Sequence, residues 1–321
     1  MGLNDSGLIA VTGANGFVGR RLCQVLSGDS RPLRRIVRNL ADAVDGSSAI
    51  GDIGPETQWT GVLAGVDAIV HLAGRAHIMD DPEKDPAAAY HRVNASGTAN
   101  LARQAAAAGV RRFVFVSSVK VNGDASMPGR PFTPHDLPAP ADPYGKSKYE
   151  AEQRLMEIAA ESRMEVVTVR PPLVYGPGAG GNFSRLMQAV YNGKILPLGS
   201  VNNKRSLVAL DNLVDLLIRC IDHPGATGET FMVSDGEDIS TAALVQKLAR
   251  VMGERPRLLS VPPVMLRAIG CITGRRGDVE RLVGSLQVDI RHTCGRLDWR
   301  PPITVDEGLR RAVVSFPGGR G

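Results

Sequence analysis

Short apolar runs alternate with longer, helix-periodic segments through the first half of the chain. Buried parallel strands are typically short and apolar, whereas surface helices repeat their apolar positions every three to four residues. Six strands are predicted on this basis: 8–11, 35–37, 49–52, 66–72, 112–117 and 165–170. Helices are predicted at 16–26, 86–108 and 144–162. The alternation indicates an α/β fold with a Rossmann-type, doubly wound parallel sheet, and it places a ligand beyond the carboxyl ends of the strands.

The pattern changes after Pro171-Pro172, where segments become shorter and richer in glycine and proline. The apolar runs 207–210 and 230–233 are predicted to return to the main sheet. The division that follows is a main unit of residues 1–170 and 207–235, with a smaller C-terminal α/β unit of residues 171–206 and 236–321.

A glycine-rich turn connects the first strand to the first helix. It has the spacing Gly-x-x-Gly-x-x-Gly, one residue longer than the common dinucleotide fingerprint. Glycines let a backbone approach a pyrophosphate, and a helix N-terminus supplies N–H donors. The predicted cofactor contacts in this turn are Gly13, Asn15, Gly16, Phe17, Val18 and Gly19.

The residue at the end of the second strand bears on the choice of dinucleotide. An NAD-specific site carries an acid there for the ribose 2′-hydroxyl, but this chain has Arg38, a cation that suits a 2′-phosphate. The sequence therefore favours NADP(H) over NAD(H). Asp52 and Ile53 either border the adenine or simply form a turn after the third strand.

Tyr144 and Lys148 are four residues apart on a predicted helix and so share one face. A neighbouring ammonium favours the phenolate, so the pair predicts a lowered pKa for Tyr144 and a proton carrier near neutral pH.

Composition narrows the class of protein. The 321 residues are 43% hydrophobic and 22% charged, with a net charge of +5 and no dense basic block, which argues against nucleic-acid binding. Four scattered cysteines and a strand close to the N-terminus predict a cytoplasmic protein without a signal peptide. The apolar segment 261–273 is too short to span a membrane and carries Arg267, so no membrane insertion is expected. The histidines lack zinc spacing, and no metal is predicted: His71, His77, His91, His135, His223 and His292.

Taken in order, these motifs resemble the extended short-chain dehydrogenase/reductases, the NAD-dependent epimerase/dehydratase family. The resemblance also rests on residues 71–74, 93–98, 117–118, 170–177 and 205–212. Within that family the chain is similar to UDP-glucose 4-epimerases and, through residues 182–211, to reductases of UDP-4-keto-6-deoxy-N-acetylhexosamines that serve O-antigen synthesis. The resemblance implies that the main unit binds the dinucleotide and the smaller unit binds a UDP-sugar.

The resemblance also implies roles for individual residues. Tyr144 would exchange a proton with the sugar C4 oxygen, Ser118 would hydrogen-bond the same oxygen, and Lys148 would hold the nicotinamide ribose and lower the tyrosine pKa. Ser117 is the alternative to Ser118. Asn94 either braces the site or is a locally satisfied polar residue on its helix. Further cofactor contacts are implied at Leu72, Ala73, Gly74, Ser117, Pro171 and Val174.

Asn182 and Arg205 match positions that bind the nucleotide diphosphate, and a further arginine from the C-terminal unit is expected to be Arg281 or, second, Arg276. Lys120 is expected near the sugar. Related 4,6-dehydratases carry Asp-Glu directly after the active-site hydroxyl. Because Val119 and Lys120 occupy those positions here, dehydration is disfavoured.

Three functions follow from these residues. The first is an NADPH-dependent 4-keto reductase, the second a UDP-hexose 4-epimerase that retains NAD, and the third, more distant, a non-enzymatic dinucleotide sensor. The sensor is disfavoured because such proteins commonly lose the Tyr/Lys pair. A homodimer is expected, formed by the helices 86–108 and 144–162, as in many members of the family.

Overall fold

The computed structural model describes residues 7–39, 41, 46–76 and 83–316. Its main sheet has seven strands in the order β3-β2-β1-β4-β5-β6-β9, all parallel. These strands are β1 (Leu8–Thr12), β2 (Leu33–Val37), β3 (Ser47–Ala49), β4 (Val66–His71), β5 (Arg112–Val116), β6 (Glu165–Arg170) and β9 (Thr230–Met232). The predicted Rossmann-type fold is confirmed.

Helices cover both faces of this sheet and also pack around a second, smaller sheet. The first seven are α1 (Phe17–Gly28), α2 (Thr60–Leu63), α3 (Pro86–Tyr90), α4 (Thr98–Ala107), α5 (Pro143–Ala160), α6 (Gly181–Tyr191) and α7 (Leu210–Asp222). The remaining five are α8 (Thr241–Met252), α9 (Pro263–Ile272), α10 (Arg276–Val283), α11 (Arg291–Leu297) and α12 (Val305–Val314). No helix within the described part of the chain is both long enough and apolar enough to cross a membrane.

The strand order reverses direction between β1 and β4, which lie side by side. Connections from these two strands leave toward opposite sides, so a crevice opens beyond their carboxyl ends. The glycine turn follows β1, and Leu72, Ala73 and Gly74 follow β4. The fold therefore brings these two predicted cofactor segments to one edge.

A second sheet has three short strands in the order β10-β8-β7: β7 (Leu173–Tyr175), β8 (Arg205–Ala209) and β10 (Asp238–Ile239). The prediction that residues 207–210 return to the main sheet is wrong, because β8 pairs with β7 and β10 instead. The prediction for 230–233 is confirmed, since Thr230–Met232 pairs with β6. An apolar run shows that a strand is buried without showing which strand it pairs with.

Two other elements differ from the sequence pattern. The third strand ends at Ala49 rather than Asp52, where Gly51 turns the chain with a φ of 71°. The predicted helix 86–108 is helical throughout but changes hydrogen-bond spacing: His91–Gly97 between α3 and α4 is a π-helix. Such π-segments are uncommon and are frequently found at functional sites.

Candidate active site

Two capped turns bring Ser118 and Tyr144 together beyond the end of β5. The Ser118 hydroxyl accepts a hydrogen bond from the Lys120 N–H at 3.2 Å and caps the short 3₁₀ helix Val119–Val121. The Asp142 carboxylate accepts from the Gly145 N–H at 2.7 Å and starts α5, with Pro143 in its first turn. Tyr144 therefore lies in the first turn of α5, and its phenol is hydrogen-bonded to the Ser118 side chain.

Lys148 lies one turn further along α5 and is buried, at 5% exposure. Its Nζ donates to the Val116 carbonyl oxygen at 2.9 Å and lies 4.6 Å from the centre of the Phe115 ring. Burial lowers the pKa of Lys148 to about 8, partly opposed by the Glu152 carboxylate.

The predicted lowering of the Tyr144 pKa by Lys148 is wrong for this arrangement. Burial raises the pKa of Tyr144 to about 12, and the opposing influence comes from the Ser118 hydrogen bond, not from Lys148. Asp142 and Tyr90 raise the pKa further; the Tyr90 ring meets that of Tyr144 edge-on at 6.0 Å. The phenol is thus protonated at neutral pH in this structure.

A buried ion pair beneath the site was missed in the sequence. Arg170, at the end of β6, donates to both carboxylate oxygens of Glu152, at 2.9 and 2.5 Å, and to the Asn122 side-chain oxygen at 3.0 Å. Both charged side chains are under 9% exposed. Glu152 lies four residues after Lys148, so spacing alone placed it on the same face of α5. The pair ties α5 to β6 directly below Lys148.

Asn94 lies in the π-helix and braces the neighbouring loop. Its side-chain oxygen accepts from the Arg75 N–H at 2.8 Å, and its amide donates to the Arg75 carbonyl at 2.9 Å and to the Ser147 hydroxyl at 3.0 Å. Gly74 permits this approach, since a Cβ there would lie 3.0 Å from the Asn94 oxygen and 3.5 Å from Lys148 Nζ. Of the two roles open from the sequence, these contacts match bracing of the site.

His71, the last residue of β4, is buried at 1% exposure between two hydroxyls. Its Nδ1 lies 2.7 Å from Thr12 Oγ1 and its Nε2 lies 3.0 Å from Thr98 Oγ1. Burial, with a smaller contribution from the Lys148 charge, lowers the pKa of His71 to about 3. The ring is therefore neutral and links β1, β4 and α4.

The lowered His71 pKa makes folding stability depend on pH. Between about pH 6.5 and 3 the unfolded chain binds a proton at this residue and the folded chain does not, so stability falls as the pH falls. We expect the free energy of unfolding to drop by up to about 1.4 kcal/mol per pH unit from this residue. Urea titrations at pH 7 and pH 5 should show a smaller drop in the free energy of unfolding for His71→Gln than for the wild type, because glutamine cannot titrate. An equal drop in both proteins would contradict the assignment.

The glycine turn has the shape of a cradle for a dinucleotide. Gly13 has a φ of 67°, and a Cβ there would lie 2.9 Å from the Ala73 N. A Cβ at Gly16 would lie 3.1 Å from the Gly13 carbonyl oxygen. At the other end of the crevice the Ser117 hydroxyl is buried and has no hydrogen-bond partner among the described residues. A close backbone and an unsatisfied hydroxyl both fit a bound dinucleotide.

Arg38 and Asp52 lie beside each other at the ends of β2 and β3. Both side chains are exposed, and the two form an ion pair across the ends of β2 and β3. Ile53 packs nearby, because a Cβ at Gly97 in the π-helix would lie 2.6 Å from its Cγ2.

The predicted substrate residues are only partly brought together. The Lys120 ammonium pairs with Asp124 and lies 3.5 Å from Asp142, beside the Tyr144 turn. Arg205 donates to the Arg281 carbonyl at 2.9 Å, and burial lowers its pKa. The Arg281 side chain forms an ion pair with Asp278. Asn182, in the first turn of α6, is exposed, and so is Arg276.

Backbone contacts link the remaining predicted residues to the site. The Pro171 carbonyl accepts from the Val119 N–H at 3.0 Å and so fixes the turn that carries Ser118. Val174 lies in β7 and packs against the core of the main unit. His77 lies outside the described residues. Within the described ranges, no group of three or more His, Cys, Asp or Glu side chains is placed to hold a metal ion.

The fold and these motifs define an extended short-chain dehydrogenase/reductase, and residues 9–234 match the model of the NAD dependent epimerase/dehydratase family. The chain belongs to this family of enzymes. It is 46% identical to a UDP-glucose 4-epimerase of Vibrio cholerae over 96% of this chain and 95% of that protein.

More distant relatives carry related names. The chain is 27% identical to the N-acetyl-alpha-D-glucosaminyl-diphospho-ditrans,octacis-undecaprenol 4-epimerase of Escherichia coli O157:H7, over 97% and 95% of the two chains. Among solved structures it resembles MoeE5 in complex with UDP-glucose and NAD, with a TM-score of 0.77 and 25% identity over 95% and 97% of the two chains.

Proposed function

We propose that this protein is a UDP-hexose 4-epimerase: it oxidises C4 of the sugar and reduces it again on the other face. The observation that carries the proposal is the Tyr144–Ser118 hydrogen bond at the mouth of the cofactor crevice, with Lys148 one turn away. The 46% identity to a UDP-glucose 4-epimerase supports epimerisation over the simple reduction that the sequence motifs favoured.

Tyr144 and Ser118 would handle the proton at the sugar O4. Their hydroxyls share a hydrogen bond, so a sugar O4 bound between them would give its proton to the Tyr144 oxygen, in its deprotonated form, as hydride leaves C4. It would take that proton back when hydride returns, and it would accept a hydrogen bond from Ser118. The bound nicotinamide would supply the hydride acceptor and donor. Lys148, held by its hydrogen bond to the Val116 carbonyl, would orient the nicotinamide ribose. The buried Glu152–Arg170 ion pair would keep α5 in place against β6 and so position Lys148.

The glycine turn, with Gly13, Gly16 and Gly19, would hold the pyrophosphate of the dinucleotide. The Ser117 hydroxyl would gain a hydrogen-bond partner beside the nicotinamide. Arg205 and Asn182 are proposed to bind the diphosphate of the UDP-sugar, with Arg281 as the next candidate. A guanidinium offers the paired donors that phosphate oxygens require.

The choice between NAD and NADP turns on the Arg38–Asp52 pair. Arg38 alone suits a 2′-phosphate, but the adjacent Asp52 carboxylate offers an acceptor for a 2′-hydroxyl and repels a phosphate. We propose NAD(H) as the working cofactor, which departs from the preference for NADP(H) drawn from Arg38 alone. NAD is also the cofactor bound to MoeE5.

Reduction of a UDP-4-keto sugar remains the second candidate, because the raised Tyr144 pKa leaves the phenol protonated. A protonated phenol is the form that donates to a ketone oxygen as hydride arrives at C4. A homodimer through the α4 and α5 faces also remains a prediction.

The deciding experiment incubates purified protein with UDP-glucose and trace NAD⁺ and separates the products by anion-exchange chromatography. We expect UDP-galactose to appear without net formation of NADH. The proposal is overturned if no UDP-hexose is epimerised and UDP-4-keto-6-deoxy-N-acetylglucosamine instead consumes NADH or NADPH in equal amount. That outcome would establish the reductase.

A further inference from the structure

Helix α9 exposes a continuous apolar face at the outside of the smaller unit. Val264 is 70% exposed, Met265 54%, Ile269 51% and Ile272 86%. With the exposed Ala268 and Cys271, these residues recur at spacings of three and four and so form one stripe along the helix. Soluble monomers rarely expose such a patch without a binding role.

The opposite side of α9 is already used for packing. Leu266 and Gly270 are its buried residues, and a Cβ at Gly270 would lie 2.8 Å from the Val279 side chain of α10. The apolar stripe is therefore a second face, additional to the one that the fold requires.

The charges around this face are unbalanced. Residues 263–283 contain four arginines and two carboxylates. Glu280 pairs with Arg267, at 3.0 Å, and Asp278 pairs with Arg281, at 3.3 Å. The surplus charge falls on the exposed Arg275 and Arg276, which follow Thr273 and Gly274 just beyond the end of the apolar stripe.

We propose that α9 docks this protein on an anionic membrane surface, with its apolar stripe among the lipid chains and Arg275 and Arg276 at the phosphates. A helix of this kind lies in the plane of the interface. Its ten residues are about 15 Å long, too short to cross a hydrocarbon core of about 30 Å. The proposal is compatible with the expected absence of membrane insertion, because docking leaves the chain on one side of the bilayer.

A second copy of the chain is the poorer occupant. In a two-fold interface the stripe would face its own copy, and α9 carries no carboxylate that could pair with Arg275 or Arg276 of the other copy. Anionic lipid headgroups, by contrast, would neutralise both arginines.

Docking would place the membrane beside the substrate-binding residues. The α10 segment is fixed to β8 by the Arg205 bond to the Arg281 carbonyl. It is also held by Asn203, which donates to the Leu282 and Gly284 carbonyls at 3.1 and 2.8 Å. The inference concerns this surface and holds whichever C4 reaction the enzyme catalyses.

Vesicle co-sedimentation of the full chain tests the proposal. We expect binding to phosphatidylethanolamine–phosphatidylglycerol vesicles, weak binding to phosphatidylcholine vesicles, and release by added salt. Ile269→Ser/Ile272→Ser should lower the partition coefficient at least roughly tenfold, and Arg275→Glu should also lower it. The matched control is Met127→Ser/Leu137→Ser, which removes two apolar side chains that are at least as exposed, 69% and 89%, at another place.

Turnover of a soluble UDP-sugar should be the same in all four proteins, which shows that the variants fold. Failure of the wild type to sediment with anionic vesicles overturns the proposal, as does equal binding to both lipid mixtures. Sedimentation velocity tests the alternative that a second copy of the chain binds the stripe. If Ile269→Ser/Ile272→Ser converts a dimer to a monomer, the stripe is a contact between copies and the proposal is wrong.

Discussion

Replacing Tyr144 by phenylalanine is expected to remove nearly all turnover while leaving nucleotide binding intact. The substitution deletes only the phenol oxygen, which is the group hydrogen-bonded to Ser118. General acid–base groups contribute roughly 10²- to 10⁴-fold to rate, so a loss in that range is expected in kcat. The ring and its edge contact with Tyr90 remain, and the fold should therefore be unchanged.

The matched control is Tyr149→Phe, five residues along α5. That phenol accepts a 3.3 Å hydrogen bond from Gln153 and lies away from Ser118, so its loss should leave kcat within about twofold. Turnover is measured with UDP-glucose, and binding by tryptophan fluorescence or calorimetry. Retained turnover in Tyr144→Phe would falsify the assignment of this residue as proton carrier.

The second large effect is expected at the glycine turn. A Cβ at Gly19 would fall on the Gly13 carbonyl oxygen and lie 2.9 Å from Ala14 Cα. Both are backbone atoms of the turn, so Gly19→Ala must displace it. We expect a loss of about 2–3 kcal/mol in the free energy of unfolding and at least roughly 100-fold weaker dinucleotide binding.

Gly28→Ala provides the control within the same helix. A Cβ at Gly28 meets nothing within 4 Å, and alanine favours helix, so this variant should be as stable as wild type or about 0.5 kcal/mol more stable. Chemical denaturation and fluorescence titration with NAD⁺ measure the two quantities. If Gly19→Ala behaves like Gly28→Ala, the cradle does not depend on this close approach.

The main sheet could be predicted from the sequence because the signal for each strand lies within a short stretch of residues. The central strands β1, β4, β5 and β6 each contain an apolar run, and the parallel arrangement follows from alternation with helices. The placement of β8 was wrong because its pairing with β7 and β10 depends on tertiary contacts. One such contact is Asp235, which accepts from the Tyr175 phenol and the Asn212 amide, both at 2.7 Å.

The sequence predicted that Tyr144 and Lys148 share a face of one helix, but it did not predict the electrostatics around them. Spacing placed Tyr144 and Lys148 on one face of α5, as the structure has them. It could not show that Lys148 is turned to the Val116 carbonyl or that burial raises the pKa of the Tyr144 phenol. The Glu152–Arg170 pair was missed although both residues lie in predicted elements, since a bond across 18 positions between a helix and a strand has no local pattern.

The order of strands along the chain limits how this enzyme can be re-engineered. The polypeptide leaves the main sheet after β6, builds β7 and β8, returns to the main sheet as β9 and leaves again for β10. No single cut point therefore separates the two sheets. A chimaera that takes its second sheet from another member of the family must graft two segments, one on each side of β9, and a simple C-terminal exchange would leave β8 pairing with a foreign β10.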